Sequence, residues 1–165
     1  MYDKVIWPKK YDPQVSAIYA LNDIDIKAPV EVVWKLLIDA EHWSTYFPPE
    51  NQVKIYNEDK ELTLGAKWSR VTVGFPMSLI ITEFEPFHRL SWATTVDDDH
   101  TNSSAYHGWV ITPTQEGCHV LTEETQQGSW FLEELGRKNP GALYRYHQQW
   151  VEQLARASEA VVNNL

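Results

Sequence analysis

The sequence predicts an α+β domain in which a curved antiparallel sheet of six to seven strands packs on one long C-terminal helix. Three observations predict it. First, over residues 141–163, Leu143, Tyr146, Trp150, Leu154, Ala157 and Val161 recur every three or four residues, with Arg145, Gln148, Gln149, Glu152, Gln153, Arg156 and Glu159 filling most of the remainder. That spacing is an amphipathic helix, about 30 Å long at about 1.5 Å per residue, and its apolar stripe has to be buried against another layer. Second, most of the chain before it has the period of strands, separated by short turns that make successive strands antiparallel neighbours. Third, the period turns helical directly after the first strand, which places two short helices there.

Residues 1–17 read as an extended arm, outside the single domain of residues 18–165. Trp7-Pro8 and Asp12-Pro13 disfavour helix at the residue before each proline, and the arm is expected to pin Trp7 onto the domain. The first strand, 18–27, puts Ile18, Ala20, Asn22, Ile24 and Ile26 on one mostly apolar face. Pro29 suits the first position of a helix, and Glu31 falls in the first turn, where the helix dipole favours an anion. Val30, Val33, Trp34, Leu37 and Ile38 form its apolar face. Glu41 to Phe47 is a second, shorter helix, stopped by Pro48-Pro49. Strands follow near 52–56, 61–64, 67–74, 77–85, 88–96, 103–113 and 118–127, the first two short enough to count as one. Gly65, Gly74 to Pro76, Pro86, residues 97–102 and Pro113 to Gly117 mark the turns. Trp130, Phe131, Leu132 and Leu135 suggest a helical turn or two leading into the last helix.

Composition narrows the function. The formal charge of −9 argues against a nucleic-acid partner, because the adjacent basic pairs Lys9-Lys10 and Arg137-Lys138 are too short to hold a phosphate backbone. Asp97-Asp98-Asp99 lacks the spaced ligands and glycine of a Ca²⁺ loop and reads as a solvated turn. With Cys118 alone there is no internal disulfide, and at a turn without an obvious base it is no nucleophile. No signal-like or membrane-spanning apolar run is present, so a cytoplasmic protein is expected. Eight Trp and eight Tyr can pack a core or line a concave pocket; core packing accounts for most of them.

Two strands carry candidate site residues. If Pro113 and Cys118 flank the last turn, Ile111 faces Val120, Trp109 faces Thr122 and His107 faces Glu124, all on one face. A His and a Glu about 5 Å apart at Cβ can share a charge-assisted hydrogen bond; the carboxylate would raise the His pKa and burial would lower it. On strand 67–74, Trp68, Arg70 and Thr72 share a face; if it points inward, Arg70 is a buried cation that needs an anion or a polar ligand. Tyr46, Tyr106 and Tyr144 are candidate hydroxyls near a pocket mouth. His42, His88, His100, His119 and His147 are scattered, with no metal-ligand spacing, so no metal is expected, and no Gly-rich phosphate loop is present.

Several segments together resemble a known family. They are Ile24-Asp25-Ile26-Lys27-Ala28-Pro29 followed by Val32-Val33-Trp34 and Asp39-Ala40-Glu41-His42-Trp43; Ile81-Thr82-Glu83-Phe84-Glu85-Pro86 with Arg89-Leu90-Ser91-Trp92; His107-Gly108-Trp109-Val110-Ile111-Thr112-Pro113; and Val120-Leu121-Thr122-Glu123-Glu124-Thr125. In this order, ending in a long helix, they resemble the START/Bet v 1-like (SRPBCC) superfamily over residues 18–162. Its bacterial members are commonly labelled polyketide cyclase/dehydrase and lipid transport proteins. The resemblance implies a helix-grip fold, with the sheet wrapped around the C-terminal helix and a cavity between them. No cofactor is expected. In the aromatase/cyclase branch a strand arginine orients an enolate-like polyketide, and Arg70 lies in a comparable position.

The expected function is binding of a small, largely hydrophobic partner (a lipid, polyketide or aromatic metabolite) in that cavity. Trp68, Arg70, Trp92, His107, Trp109, Thr122, Glu124, Tyr146 and Trp150 are the candidate ligand-binding residues. A first alternative is a polyketide cyclase/aromatase- or dehydratase-like enzyme, with His107, Glu124 and Arg70 as candidate catalytic residues. A second is a co-chaperone-like interaction domain, which would have an exposed apolar patch and no ligand-sized cavity. Fold analogy cannot choose among them, and nothing in the sequence sets the oligomeric state.

Overall fold

The computed structural model describes residues 1–72, 74–97 and 102–165. β1 (Ile18–Ile26) leads into α1 (Val30–Ile38) and a 3-10 helix, Ala40–Thr45. Pro29 caps α1 from just outside its first turn. Next come β2 (Lys54–Ile55), β3 (Lys67–Thr72), β4 (Phe75–Glu85), β5 (Arg89–Val96), β6 (Ser104–Pro113) and β7 (Cys118–Gln127). A short α turn, Ser129–Phe131, runs into a π-helical turn, Leu132–Arg137, and then α2 (Ala142–Asn163). The strands form one antiparallel sheet in the order β1-β7-β6-β5-β4-β3-β2. Each strand from β2 to β7 pairs with the next, and β1 returns to close against β7. This is the α+β helix-grip arrangement that the sequence and the resemblance led us to expect.

Several elements depart from the expected boundaries, and two of the departures have a plain physical cause. Residues 61–64 are not a strand. Leu62 is instead driven fully into the core, and its N–H bonds to the Ile38 carbonyl at 2.9 Å, tying this loop to the end of α1. β4 starts at Phe75 rather than 77, because Phe75 and Pro76 pair with Thr72 and Val71 across a turn that Gly74 takes at φ +79°. In the acidic loop, Asp97 accepts from the Ser78 hydroxyl at 3.0 Å, whereas Asp98, Asp99 and His100 lie outside the described residues.

α2 buries a face rotated from the expected stripe. Leu143, His147, Trp150, Val151, Leu154, Ala155 and Ser158 are buried, whereas Val161 is exposed and Tyr146 and Ala157 are half-buried. Trp150 joins Trp43, Trp68, Trp92 and Trp109 in a contiguous aromatic core, with neighbouring ring centroids 4.8–6.0 Å apart. Most of these pairs are edge-to-face, the arrangement ring quadrupoles prefer.

The arm crosses the other side of the sheet. Val5 packs with Tyr106, Val110 and Leu121, and Trp7 and Tyr11 lie against the same cluster. Its backbone is held by side chains of the sheet. The Val5 N–H donates to Glu123 at 2.9 Å, Thr125 donates to the Tyr11 carbonyl at 2.8 Å, and Arg89 donates to the Lys4 carbonyl at 2.9 Å. β6 and β7 are therefore covered on both faces, which explains their nearly unbroken burial. The arm comes so close at Gly108 that a Cβ there would lie 2.6 Å from the Val5 side chain.

Candidate functional site

A cavity of about 350 Å³ lies between the inner face of the sheet and the first two turns of α2. Met77, Ala105, Phe131, Leu135, Ala142 and Leu143 supply its apolar wall. Strand alternation supplies the polar wall. Arg70 and Thr72 point inward from β3, Thr94 from β5, and Glu124 and Gln126 from β7. Tyr146 and His147 come from α2, Glu50 from the loop after the 3-10 helix.

Arg70 is the buried cation that the strand pattern raised, and Glu50 is its anion. Arg70 Nη1 donates to Glu50 Oε1 at 2.9 Å, and the Tyr146 hydroxyl donates to the same oxygen at 2.6 Å. Burial disfavours the guanidinium, but Glu50, Tyr146 and Glu124 outweigh it and hold the Arg70 pKa above its ordinary value. Burial and the Glu50 carboxylate likewise raise the Tyr146 phenol.

The β6–β7 register places His107 opposite Glu124. The Thr122 hydroxyl donates to the Gly108 carbonyl at 3.0 Å, so it must accept from His107 Nε2, 2.6 Å away. Neutral His107 therefore carries its proton on Nε2 and turns the Nδ1 lone pair toward Glu124 Oε1 at 3.3 Å. Of the two opposing effects, burial wins. Burial, with His147 and Arg70 nearby, holds His107 well below the usual imidazole range, and burial and Arg70 lower His147 to about 3. Burial pushes the Glu124 carboxyl up to about 7, against the pull of Arg70 and the 2.6 Å hydrogen bond from Gln126. At this pair, then, the carboxyl holds the mobile proton and the imidazole stays neutral.

Of the expected ligand-binding residues, Arg70, Glu124 and Tyr146 line the cavity. His107 and Thr122 stand behind Glu124, and Trp68, Trp92, Trp109 and Trp150 are fully buried in the aromatic core. Of the three expected tyrosines, Tyr106 lies on the outer face, where Thr82 donates to it at 2.9 Å; Tyr144 faces outward; and the Tyr46 hydroxyl bonds the Leu36 carbonyl. Glu50, Thr94, Gln126 and His147 were not singled out from the sequence. Four buried atoms on lining residues have no protein partner: Arg70 Nε, Thr94 Oγ1, Gln126 Oε1 and His147 Nδ1. Cys118 is buried at the far end of β7, with its thiol pushed up to about 11 by burial.

Sequence spacing hid one cluster. His107, Glu124 and His147 bring ligating atoms within 4.8 Å of one another, from three different elements. Among the described residues they are the group best placed to hold a metal ion. The fit is poor, however. The two imidazoles stack at 4.4 Å and 19°, so their in-plane lone pairs run side by side rather than toward one point.

The comparisons with known proteins agree with this architecture. The family described as polyketide cyclase / dehydrase and lipid transport matches residues 21–159. The chain belongs to that family. The match leaves the arm outside it and takes in most of β1, every strand from β2 to β7 and nearly all of α2, so the polyketide cyclase / dehydrase family domain contains the whole cavity. Among solved structures, the hypothetical protein jhp0584 from Helicobacter pylori is 25% identical with a TM-score of 0.87, over 96% of this chain and 98% of that one. Protein CV1439 from Chromobacterium violaceum is 19% identical with a TM-score of 0.63, over 86% and 97%. The di-domain ARO/CYC StfQ of the steffimycin biosynthetic pathway is 12% identical with a TM-score of 0.69. That likeness covers 88% of this chain and 51% of StfQ. At such identities the last two likenesses show the fold alone. No protein of curated function matches the chain. Among the described residues, no helix is long and apolar enough to cross a membrane.

Proposed function

We propose that this domain binds one small, largely apolar molecule (a lipid, polyketide or aromatic metabolite) in the cavity between the sheet and α2. One observation carries the reading. A ligand-sized cavity pairs an apolar wall (Met77, Ala105, Phe131, Leu135, Leu143) with a few inward polar side chains (Arg70, Thr94, Glu124, Tyr146), which is the composition of a small-molecule site. A volume of about 350 Å³ is at the small end of the roughly 300–1,000 Å³ usual for ligand sites, which favours a compact skeleton over a long-chain lipid. A ligand-sized cavity also counts against the co-chaperone-like alternative.

Equilibrium dialysis against Nile red, an uncharged apolar dye, tests the reading. The expected outcome is saturable one-to-one binding that is lost when Ala105→Phe fills the cavity, in a variant that still unfolds cooperatively. Absence of saturable binding by the unaltered chain, or binding unchanged by Ala105→Phe, would sink it.

A second reading is supported by Glu124. A carboxyl lifted to about 7 on the cavity wall, backed by a neutral imidazole, is suited to donating and retrieving a proton in a cyclisation or dehydration. Turnover of a cyclisable substrate that survives both Glu124→Gln and His107→Ala would remove this alternative.

A further inference from the structure

The walls of the cavity are fastened unequally. The sheet is closed by its ladders, and α2 is pinned by Trp150 among the other tryptophans. The loop before β2 reaches in through Glu50, whose Oε1 accepts from Arg70 at 2.9 Å and from Tyr146 at 2.6 Å, while Phe47 at the start of that loop stacks on Trp150 at 5.5 Å. The last wall is the segment between β7 and α2. It contributes Phe131, Leu135 and Asn139, each a helical turn from the next, so one face of it looks into the cavity.

That segment is tied mainly to itself. None of Leu132–Arg137 is buried. Among the described residues, the side-chain hydrogen bonds of 132–139 are internal: Arg137 donates to Glu133, Lys138 to Glu134, and Asn139 to the Glu134 carbonyl at 3.0 Å. The Lys138 N–H reaches back to the Glu133 carbonyl at 2.9 Å, a π turn, which is rare and found mostly at functional sites. Glycines stand at both ends in backbone regions that other residues avoid, Gly128 at φ +100° and Gly141 at φ +73°. At the near end Trp130 ties the segment to the sheet. Its N–H donates to Ser103 Oγ at 3.1 Å, and its ring meets Phe75 edge-on at 5.0 Å.

We propose that residues 129–140 are the lid of the cavity. They swing as one piece on Gly128 and Gly141 to admit the ligand, and the contact between Phe75 and Trp130 is the catch that holds them shut. The proposal rests on the ligand-binding reading above. The internal ion pairs keep the shape of the lid as it moves, whereas the other walls open only by breaking a sheet ladder, the tryptophan core or the buried Arg70–Glu50 pair. Opening takes Phe131 and Leu135 off the cavity and exposes them, so the closed state dominates.

The test is stopped-flow mixing of the full chain with Nile red. Phe75 is exposed and lies outside the cavity lining, so Phe75→Ala releases the catch without touching the bound dye. We expect it to speed association and dissociation by the same factor, about threefold to tenfold for one aromatic pair, with Kd held within about twofold. Asn51→Ala removes a 3.0 Å bond to the Pro48 carbonyl in the loop that forms the opposite wall, and it should leave both rates unchanged. Rates unchanged by Phe75→Ala, a change in only one of them, or acceleration by Asn51→Ala overturns the lid. Hydrogen exchange on the unaltered chain without dye gives a second measurement. The amides of 132–139 should exchange at least about a hundredfold faster than those of 150–154. Equal protection overturns the lid and leaves the ligand-binding reading standing. Failure to hold Nile red at all removes both.

Discussion

At the scale of single residues, folding moves protons onto Glu124 and off His107 and His147. The raised Glu124 pKa contributes stability that is complete below the ordinary carboxyl range and is lost as pH rises through about 7. The two lowered histidines act in the opposite sense. Their contribution is complete above the ordinary imidazole pKa of about 6.5 and is lost as pH falls below it. Stability should therefore peak near neutrality. Glu124→Gln keeps the shape of the protonated acid and can donate to His107 Nδ1. We expect it to raise the melting temperature by roughly 5 °C or more at about pH 8.5, with the gap closing toward about pH 5. A variant no more stable than the parent at high pH would mean that Arg70 needs the Glu124 charge. The His107–Glu124 pair was legible in the sequence because a hairpin's register follows from its turn. Glu50 and His147 were not, since one sits in a loop and the other on a helix whose rotation no local pattern sets.

At the scale of elements, α2 shows how far apolar periodicity reaches. A stripe drawn only through apolar side chains passes through Tyr146, Ala157 and Val161 and misses Val151, Ala155 and the two buried polar residues His147 and Ser158. Where it meets the cavity the helix presents Tyr146 and His147 beside Ala142 and Leu143, and where it meets the tryptophans it is aromatic, so its hydrophobic signal is diluted at the site itself. Trp150→Ala should cost about 3–5 kcal/mol in a denaturant titration, as an aromatic lost from a packed core does, whereas Val161→Ser should stay within about 0.5 kcal/mol. Equal effects from the two would restore the expected stripe. The strands were easier to read, because turn residues bracket them and a period of two tolerates no slippage. Residues 61–64 misled because a buried Leu62 flanked by polar residues looks the same in a loop anchor as in a strand.

At the scale of the whole molecule, the arm makes the sheet two-sided. Its path depends on Gly108, where any side chain would press into Val5. Gly108→Val should displace the arm and leave the inner core intact, so trypsin should cut after Lys4, Lys9 or Lys10 about tenfold faster while the rest of the chain resists. An arm as protected as in the parent would show that this contact does not hold it. The sequence pointed to an arm that pins Trp7, but the close approach at Gly108 depends on which strand the arm crosses, which only the assembled sheet decides. The core beneath has an optical consequence. With Trp43, Trp68, Trp92, Trp109 and Trp150 in contact, light absorbed by one indole passes to the others before it is emitted. Such a cluster is expected to behave as one chromophore, with coupled bands in the near-ultraviolet, and Trp92 and Trp109 pack directly on His107. A change of charge or occupancy in the cavity should thus shift the protein's own emission, with no label attached.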